Sequence, residues 1–453
     1  MNEKSMINDL TKGPIFGRMI KFMMPMMAAN ALQVGFNLVD MYFVGKYAGT
    51  DALSAVSIAG QLTMLMFSLF LGVAVCGQIY VAQVVGLGRR EELNKVIGNV
   101  VFLSIVVGAF LMLIIPLGIP ILRIMNTPDE IIQPTYVYLV ILSSVNVLVA
   151  LYNGLSGILR GMGDSRRPML FVMVATVINI GLDYLFICVF KWGVVGAAWA
   201  TLIGQSAAAI FSIVYLYIKR EEFGFDFKMS SLKPDAKILN ILLKIGVPVA
   251  AKQLAINLSM LFVNAQINGF GVLAVAVTGV SNKLIQLMTI VSQAMNDATA
   301  SFVGQNMAAG KFDRVRRSVY DSVGFCMIFA VVICALFLLF PEQIFGIFSS
   351  DPEVIAQAPG YLQVSCTLVV SFALMSPMLG LINGVGDTVL NMIIAIADGV
   401  IGRIALSLIF GYACGMGALG FYLGHCLAGY ISVIWGGAYF LRGRWEKRTA
   451  LMK

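Results

Sequence analysis

Four polar residues recur along one face of the first long apolar segment. Asn30, Gln33, Asn37 and Asp40 follow one another at steps of three, four and three residues, which is the spacing of one face of an α-helix. A carboxylate on an otherwise apolar helix is costly to bury, so Asp40 is a functional candidate by default. The stripe offers carboxylate and amide oxygens that can hold a proton or a small hard cation.

A second polar face supplies matching groups. Thr176, Asn179 and Asp183 lie within one apolar segment, and Thr201 lies in the next. Two carboxylates held close in a low dielectric cannot both ionise cheaply, so one of them should take up a proton more readily than usual. The same oxygens also suit a sodium ion, and the residue types leave both ions open. Polar stripes that only join helices are the alternative, but joining helices does not require the charges of Asp40 and Asp183.

The composition places these residues in a membrane. The chain has 453 residues, of which 59% are hydrophobic and 12% charged, and its mean hydropathy is +0.89. Soluble domains carry about 25% charged residues. A span and its connection use roughly 35–40 residues, so the length fits about 12 helices and leaves no room for a large extramembrane catalytic domain. The predicted spans are 15–46, 52–87, 94–122, 132–160, 167–190, 193–219, 238–268, 272–309, 315–340, 353–383, 388–412 and 416–441.

The charged residues predict the orientation. The net charge is +8, but the basic residues gather in short connections at 89–95, 160–167, 219–237, 311–317 and 442–448, as expected for loops that face the cytoplasm. The only basic residues in the connections on the other side are Lys46, Arg123 and Lys191. We therefore expect a multi-pass protein of the cytoplasmic (inner) membrane with both termini in the cytoplasm, and no nucleic-acid partner.

The two halves of the chain repeat. Gly161-Met162-Gly163-Asp164 recurs as Gly384-Val385-Gly386-Asp387, a shift of 223 residues that also matches Pro25 with Pro248 and Tyr138 with Tyr361. Several matches in order along the chain indicate an internal duplication. Six spans in each half give both halves the same orientation, so the fold class is all-α, with two six-helix lobes related by a pseudo-two-fold axis along the membrane normal. The predicted lobes are 1–220 and 238–453, joined by a cytoplasmic linker at 221–237.

The ion site is not duplicated in the second lobe. At the same shift Asp183 becomes Leu406 and Asn179 becomes Gly402, and His425 stands near the place of Thr201. Polar residues instead predict a substrate cavity, lined by Asn30, Asn257, Asn264, Gln286, Gln293, Asn296 and Asp297. Lys252, Lys283 and Arg403 also fall in apolar stretches, where they either take part in function or extend to the interface and pair with Asp297 and Asp398.

The prolines, the cysteines and the single histidine are expected to have structural roles. Pro25 and Pro248 stand at matching positions in the first helix of each lobe and predict kinks that act as hinges. The seven cysteines lie in or beside apolar runs without the spacing of metal ligands, and we expect them to be small apolar fillers rather than disulfides or metal ligands. His425, the only histidine, is expected to be a packing residue.

Several of these stretches resemble the multidrug and toxic compound extrusion (MATE) family. The likeness extends over nearly the whole chain and rests on Pro25 and on the segments 37–40, 53–56, 159–164, 179–183 and 196–201. The resemblance implies a twelve-helix antiporter that exchanges drugs, often cationic and amphipathic, for sodium ions or protons. It implies a first-lobe cation site at Asp40, Asn179, Asp183 and Thr201, with Gln33 and Asn37 beside it. Some members carry a further acid in the seventh helix, where this chain has Ile256.

The expected function is therefore a secondary active efflux antiporter for organic cations, working as a monomer without a cofactor other than the coupling ion, H⁺ or Na⁺. A flippase for lipid-linked oligosaccharides or lipid II is the alternative, since the same superfamily contains such proteins. A pyrophosphate cargo would need a ring of basic residues in the cavity, whereas this chain places acids in the first lobe. A channel is a third class, disfavoured by the repeat. No metal cluster, nucleophile elbow or phosphate-binding loop is found, so no enzyme activity is expected.

Overall fold

The computed structural model describes residues 6–125, 127–448 and 451, and the ends of the predicted lobes at 1–5 and 452–453 lie outside them. The described chain is helical throughout and contains no β-strand. Its α-helices are α1 Ile15–Phe43, α2 Thr50–Gly86, α3 Leu93–Met112, α4 Gly118–Ile124, α5 Asp129–Ser143, α6 Asn146–Gly161, α7 Arg166–Asp183, α8 Gly193–Ile218, α9 Arg220–Phe223, α10 Ala236–Asn268, α11 Val272–Ala308, α12 Phe312–Leu339, α13 Pro341–Gly346, α14 Pro352–Ala356, α15 Ala358–Gly384, α16 Thr388–Ile396, α17 Arg403–Leu408 and α18 Gly417–Leu441.

The number of spans agrees with the prediction. Within the described residues, 11 helices are long and apolar enough to cross a membrane, and α5 and α6 form a further pair bent by 52°, which makes 12 if the pair is one span. The bend falls within the predicted span 132–160, at the short break between Ser143 and Asn146. An all-α membrane protein is therefore confirmed, while the axis that relates its halves stays a prediction.

Four helices contain or adjoin a π-helical turn. These turns cover Val44–Ala48 after α1, Tyr184–Val189 after α7, Ala397–Gly402 between α16 and α17, and Ile409–Ala413 after α17. A π turn inserts extra backbone into the helical ladder and is often found at functional sites. It changes which side chains share a face, so a strict 3.6-residue period fails beyond each turn.

The chain forms two compact units. One consists of Met1–Asp9 and Met24–Ala250, and the other of Leu10–Met23 and Ala251–Lys453. These limits differ from the predicted lobes 1–220 and 238–453, because α1 and α10 each begin in one unit and end in the other. Both changes of unit lie within three residues of the matched prolines Pro25 and Pro248.

Glycines allow the central helices of each unit to approach closely. A Cβ added at Gly157 of α6 would lie 2.8 Å from the carbonyl carbon of Ala74 in α2, and one added at Gly380 of α15 would lie 2.7 Å from the carbonyl oxygen of Asn296 in α11. Either distance is a clash, so these contacts require glycine. Gly157 and Gly380 are separated by the 223 residues of the sequence repeat, and the two units therefore share the same helix contact.

The predicted linker packs against the first unit. It contains all of α9 except Arg220, and a 3₁₀ turn at Met229–Leu232. The side chain of Asn94 in α3 accepts the backbone N–H of Asp226 at 3.2 Å, and that of Asn99 accepts the N–H of Asp235 at 2.8 Å. Hydrogen bonds from the Lys228 backbone and from the Ser231 hydroxyl hold the pKa of Asp226 below its ordinary value. The segment is thus an ordered connection rather than a separate domain.

Candidate functional site

Three helices of the first unit bring the predicted ion-site residues into its interior. Asp40 lies near the end of α1, Asn179 and Asp183 lie on α7, and Thr201 lies on α8; we call these four residues the acceptor cluster. All are buried, with exposed fractions of 7% for Asp40, 2% for Asn179, 0% for Asp183 and 6% for Thr201. The Nδ2 of Asn179 donates to the Oγ1 of Thr201 at 3.5 Å, and this bond joins α7 to α8.

The acceptor cluster has more acceptors than donors. Among the described residues, Oδ1 of Asp40, Oδ1 of Asn179 and both carboxyl oxygens of Asp183 are buried without a hydrogen-bond partner. Each buried acceptor left without a donor costs about 1–3 kcal/mol. The carboxyl of Asp183 also lies within electrostatic reach of Asp40. Buried oxygens with no donor of their own are suited to a proton or to a small cation that takes oxygen ligands.

Sequence reasoning did not identify Tyr138 as part of this site. Its side chain is buried on α5, and its hydroxyl is hydrogen-bonded to Thr201, within electrostatic reach of Asp40 and Asp183. Its ring belongs to the apolar core that lies beside the π turn after α1. The match of Tyr138 with Tyr361 in the repeat was a signal for this position, but it carried no information about Thr201.

The rest of the α1 stripe is not buried with Asp40. Gln33 and Asn37 are exposed, and Asn30 is half-buried. Only 17% of the most apolar window of this helix is buried in the described structure. The stripe is therefore a feature of the helix surface, and only its last residue enters the acceptor cluster.

The predicted cavity residues of the second unit fall into two sets. Asn257 is buried and accepts a hydrogen bond from Gln253 at 3.2 Å. Gln293 is exposed and donates to Asp297 at 3.1 Å, and Gln286 is exposed as well. Asn264 and Asn296 are half-buried. Gln286 and Gln293 thus offer exposed amides, whereas Asn257 and Asn296 are engaged within the unit.

A chain of side-chain amides starts at Lys252 and crosses four helices. The Nζ of Lys252 donates to Asn391 at 3.3 Å, Asn391 donates to Asn383 at 2.6 Å, Asn383 donates to Asn296 at 3.5 Å, and Asn296 donates to the carbonyl oxygen of Ser376 at 3.3 Å. Every bond points away from the ammonium group. Bonds aligned in this way polarise one another, so a charged Lys252 stabilises the whole chain. None of these asparagine contacts follows from helical spacing alone.

Two other charged residues of the second unit, Asp398 and Arg403, also have buried partners. Asp398 accepts a hydrogen bond from Ser432 at 2.5 Å, and Arg403 donates to the hydroxyl of Ser259 at 2.9 Å. Lys252 and Arg403 are therefore engaged within the unit, while Lys283 is exposed. His425 is buried, and its Nδ1 has no hydrogen-bond partner in the part of the chain that the structure describes. No group of three or more His, Cys, Asp or Glu residues able to hold a metal occurs in that part either.

Comparisons with known proteins find similarity to one family in both halves of the chain. The MatE family model matches residues 25–185 and 248–409, one segment in each half. The probable multidrug resistance protein YoeA of Bacillus subtilis is 30% identical over 78% of this chain and 78% of its own length. The multidrug export protein MepA of Staphylococcus aureus is 26% identical over 86% of this chain and 83% of its own length.

A solved structure shares the fold. The outward-facing conformation of a multidrug resistance MATE family transporter of the MOP superfamily superimposes with a TM-score of 0.90 at 23% sequence identity, over 98% of this chain and 99% of that one. The matched segments, the relatives and the fold lead to one assignment: the chain belongs to the MATE family of membrane transporters.

Proposed function

We propose that this protein is a secondary active antiporter that exports organic, mostly cationic and amphipathic compounds in exchange for protons or sodium ions. The observation that carries the proposal is the acceptor cluster, in which two acids and an amide present buried oxygens that have no donor among the described residues. An ion that binds there lowers the cost of burying these groups, and the cost returns when the ion leaves. Relatives named as multidrug resistance and multidrug export proteins support the choice of cargo.

The proposed cycle is alternating access in the cytoplasmic membrane, with both termini in the cytoplasm. A ligand can shift a conformational equilibrium only by binding one state more tightly than the other. The acceptor cluster provides such a difference, because Asp40 belongs to α1 while Asn179 and Asp183 belong to α7. Pro25 and Pro248 are proposed as bending points, since a proline inside a helix removes a backbone hydrogen bond and each lies beside the residue where its helix changes unit.

The cargo is proposed to contact the exposed amides and the acid of the second unit. Gln286 and Gln293 supply polar contacts, and Asp297 supplies a carboxylate beside Gln293. The electrostatic attraction between an organic cation and a carboxylate is stronger in a low dielectric than in water. The protein supplies no nucleotide-binding motif, so the ion gradient is the proposed energy source.

The experiment is dye transport into or out of sealed vesicles that contain the purified protein, with sodium and proton gradients imposed separately. We expect a cationic dye such as ethidium to move against its own gradient when one of the two ion gradients is present, and not when both are collapsed. Dye movement that needs neither gradient would indicate a channel and contradict the proposal. Movement of dye only down its own gradient in every condition would do the same.

A further inference from the structure

Two thiol groups face each other where α12 packs against α15. Cys334 lies in the last two turns of α12, and Cys366 lies in the third turn of α15. The Sγ of Cys334 is 3.8 Å from the carbonyl oxygen of Cys366, and the Sγ of Cys366 is 3.9 Å from the carbonyl oxygen of Cys334. The thiols are also in hydrogen-bonding contact with each other. The contacts are reciprocal, so the two residues stand directly opposite one another.

The surroundings of the pair leave it room to react. Both side chains are partly accessible, whereas Cys76, Cys326 and Cys426 are buried. A small, mainly apolar cavity of about 20 Å³ lies about one helical turn further along, lined by Phe329 and Ala330 of α12, Val369 and Phe372 of α15 and Ser292 of α11. The two sulfur atoms, already on facing residues, have to close to the about 2.05 Å of a disulfide.

The pair lies at the ends of α12 and α15 that are remote from the basic residues. Arg314, Arg316 and Arg317 are in the first two turns of α12, and Cys334 is near its other end. Basic connections face the cytoplasm, which places the thiols towards the opposite face of the membrane. Disulfides persist on that side and not in the reducing cytoplasm.

We propose that Cys334 and Cys366 are a redox modification site that forms an intrachain disulfide. The two S–H bonds break, one S–S bond forms, and two protons and two electrons pass to an oxidant of the quinone class, which becomes the quinol. The bond links α12 to α15 and closes the connection that carries α13 and α14. Both cysteines belong to the second compact unit, so the disulfide does not join the two units. This assignment replaces the expectation that these two cysteines are only apolar fillers.

The test uses the full chain with a site for a specific protease inserted after Ser350, an exposed residue between α13 and α14. Membranes are treated with diamide, whose N=N bond takes up the two hydrogens, then with a maleimide to block free thiols, and the chain is cut. Cys334 and Cys366 lie on opposite sides of the cut. We expect the two fragments to migrate together on a non-reducing gel and to separate after dithiothreitol.

Two single variants make the result specific. In Cys334→Ser the fragments should separate without reduction. Cys414→Ser removes an exposed thiol from the C-terminal fragment, which also carries Cys366, and in this variant the fragments should stay together as in the parent. Fragments that separate in the diamide-treated parent would overturn the proposal. So would fragments that stay together in Cys334→Ser, because another pair of thiols would then be responsible.

Discussion

A carboxyl group as deeply buried as that of Asp183 stays charged only if a counter-charge or hydrogen-bond donors compensate it. Within the described residues, neither of its oxygens has a donor, and the charged group that acts on it electrostatically is another acid, Asp40. The group therefore gains most from binding a proton or a cation. Asp40 has one oxygen in the same condition, so the two acids should act as a pair rather than as independent sites.

Replacing Asp183 with Asn should reduce ion-driven dye efflux at least about tenfold, the ratio that corresponds to about 1.4 kcal/mol. The amide keeps the shape of the side chain but cannot take up a proton or supply a negative charge. Initial efflux rates in vesicles with equal amounts of protein measure the effect, and Asp40→Asn should behave in the same way. Asp51→Asn removes an acid from an exposed position of the same unit and should leave the rate unchanged. Equal rates in all three variants would refute the role of the acceptor cluster.

Tyr138→Phe should weaken the binding of the coupling ion without unfolding the protein. The ring stays in the apolar core, but Thr201 keeps only its hydrogen bond from Asn179 and loses the one with Tyr138, and a net hydrogen bond contributes about 0.5–1.5 kcal/mol. We expect the ion concentration for half-maximal efflux to rise about two- to tenfold. Tyr361→Phe is the matched control, because it removes the equivalent hydroxyl from the other half of the repeat, where Leu406 replaces Asp183. A similar rise in both variants would contradict a specific role for Tyr138.

The residues of the acceptor cluster were predictable because acids and amides are rare in apolar helices, so each one stands out. Asp40, Asn179, Asp183 and Thr201 come together as the sequence predicts. Tyr138 was not predictable in this role, since a buried tyrosine is ordinary and its hydroxyl gains a role only through the packing of α5 on α8.

At the scale of helices, the π turns stand close to the buried acids. Asp183 immediately precedes the turn at Tyr184–Val189, Asp398 lies within the turn at Ala397–Gly402, and Asp40 lies one helical turn before Val44–Ala48. The periods of 3.6 residues that locate amphipathic helices contain no sign of these turns, so the turns were not predictable from the sequence. The lengths of the spans were predictable, because apolar content alone sets them.

Gly380→Ala should destabilise the contact between α11 and α15. The added methyl group would clash with the backbone at Asn296 and the side chain of Thr299, and overpacking of this kind costs typically about 1–3 kcal/mol. Thermal aggregation of the detergent-solubilised protein should begin at a lower temperature. Gly279→Ala in α11 is the control, because no atom in the described part of the chain lies within 4 Å of its added Cβ and alanine favours a helix by about 1 kcal/mol. Equal losses in both variants would show that the close contact is not their cause and would contradict the prediction.

At the scale of the whole molecule, the duplication was predictable and the limits of the compact units were not. The repeat at a shift of 223 residues is visible in the structure as one glycine contact in each half, between α2 and α6 and between α11 and α15. The family matches also fall in two segments, one in each half. A continuous helix carries no sequence signal for the residue at which its packing partners change, and for that reason α1 and α10 were assigned whole to their lobes.

The basic residues predict an orientation for the whole chain that accessibility can test. Lys228 lies in the basic connection after α8, Lys191 lies in the sparsely charged connection before it, and both are exposed. If basic connections face the cytoplasm, then in intact cells Lys191→Cys should react with a membrane-impermeant maleimide, while Lys228→Cys should react only after permeabilisation. Both variants should carry Cys414→Ser, since Cys414 is exposed and would react in the background. The helix α8 lies between the two positions, so they should be on opposite sides of the membrane. Reaction of Lys228→Cys in intact cells, with protection of Lys191→Cys, would show that the orientation is opposite to the predicted one. The direction in which the ion gradient drives transport would then be opposite as well.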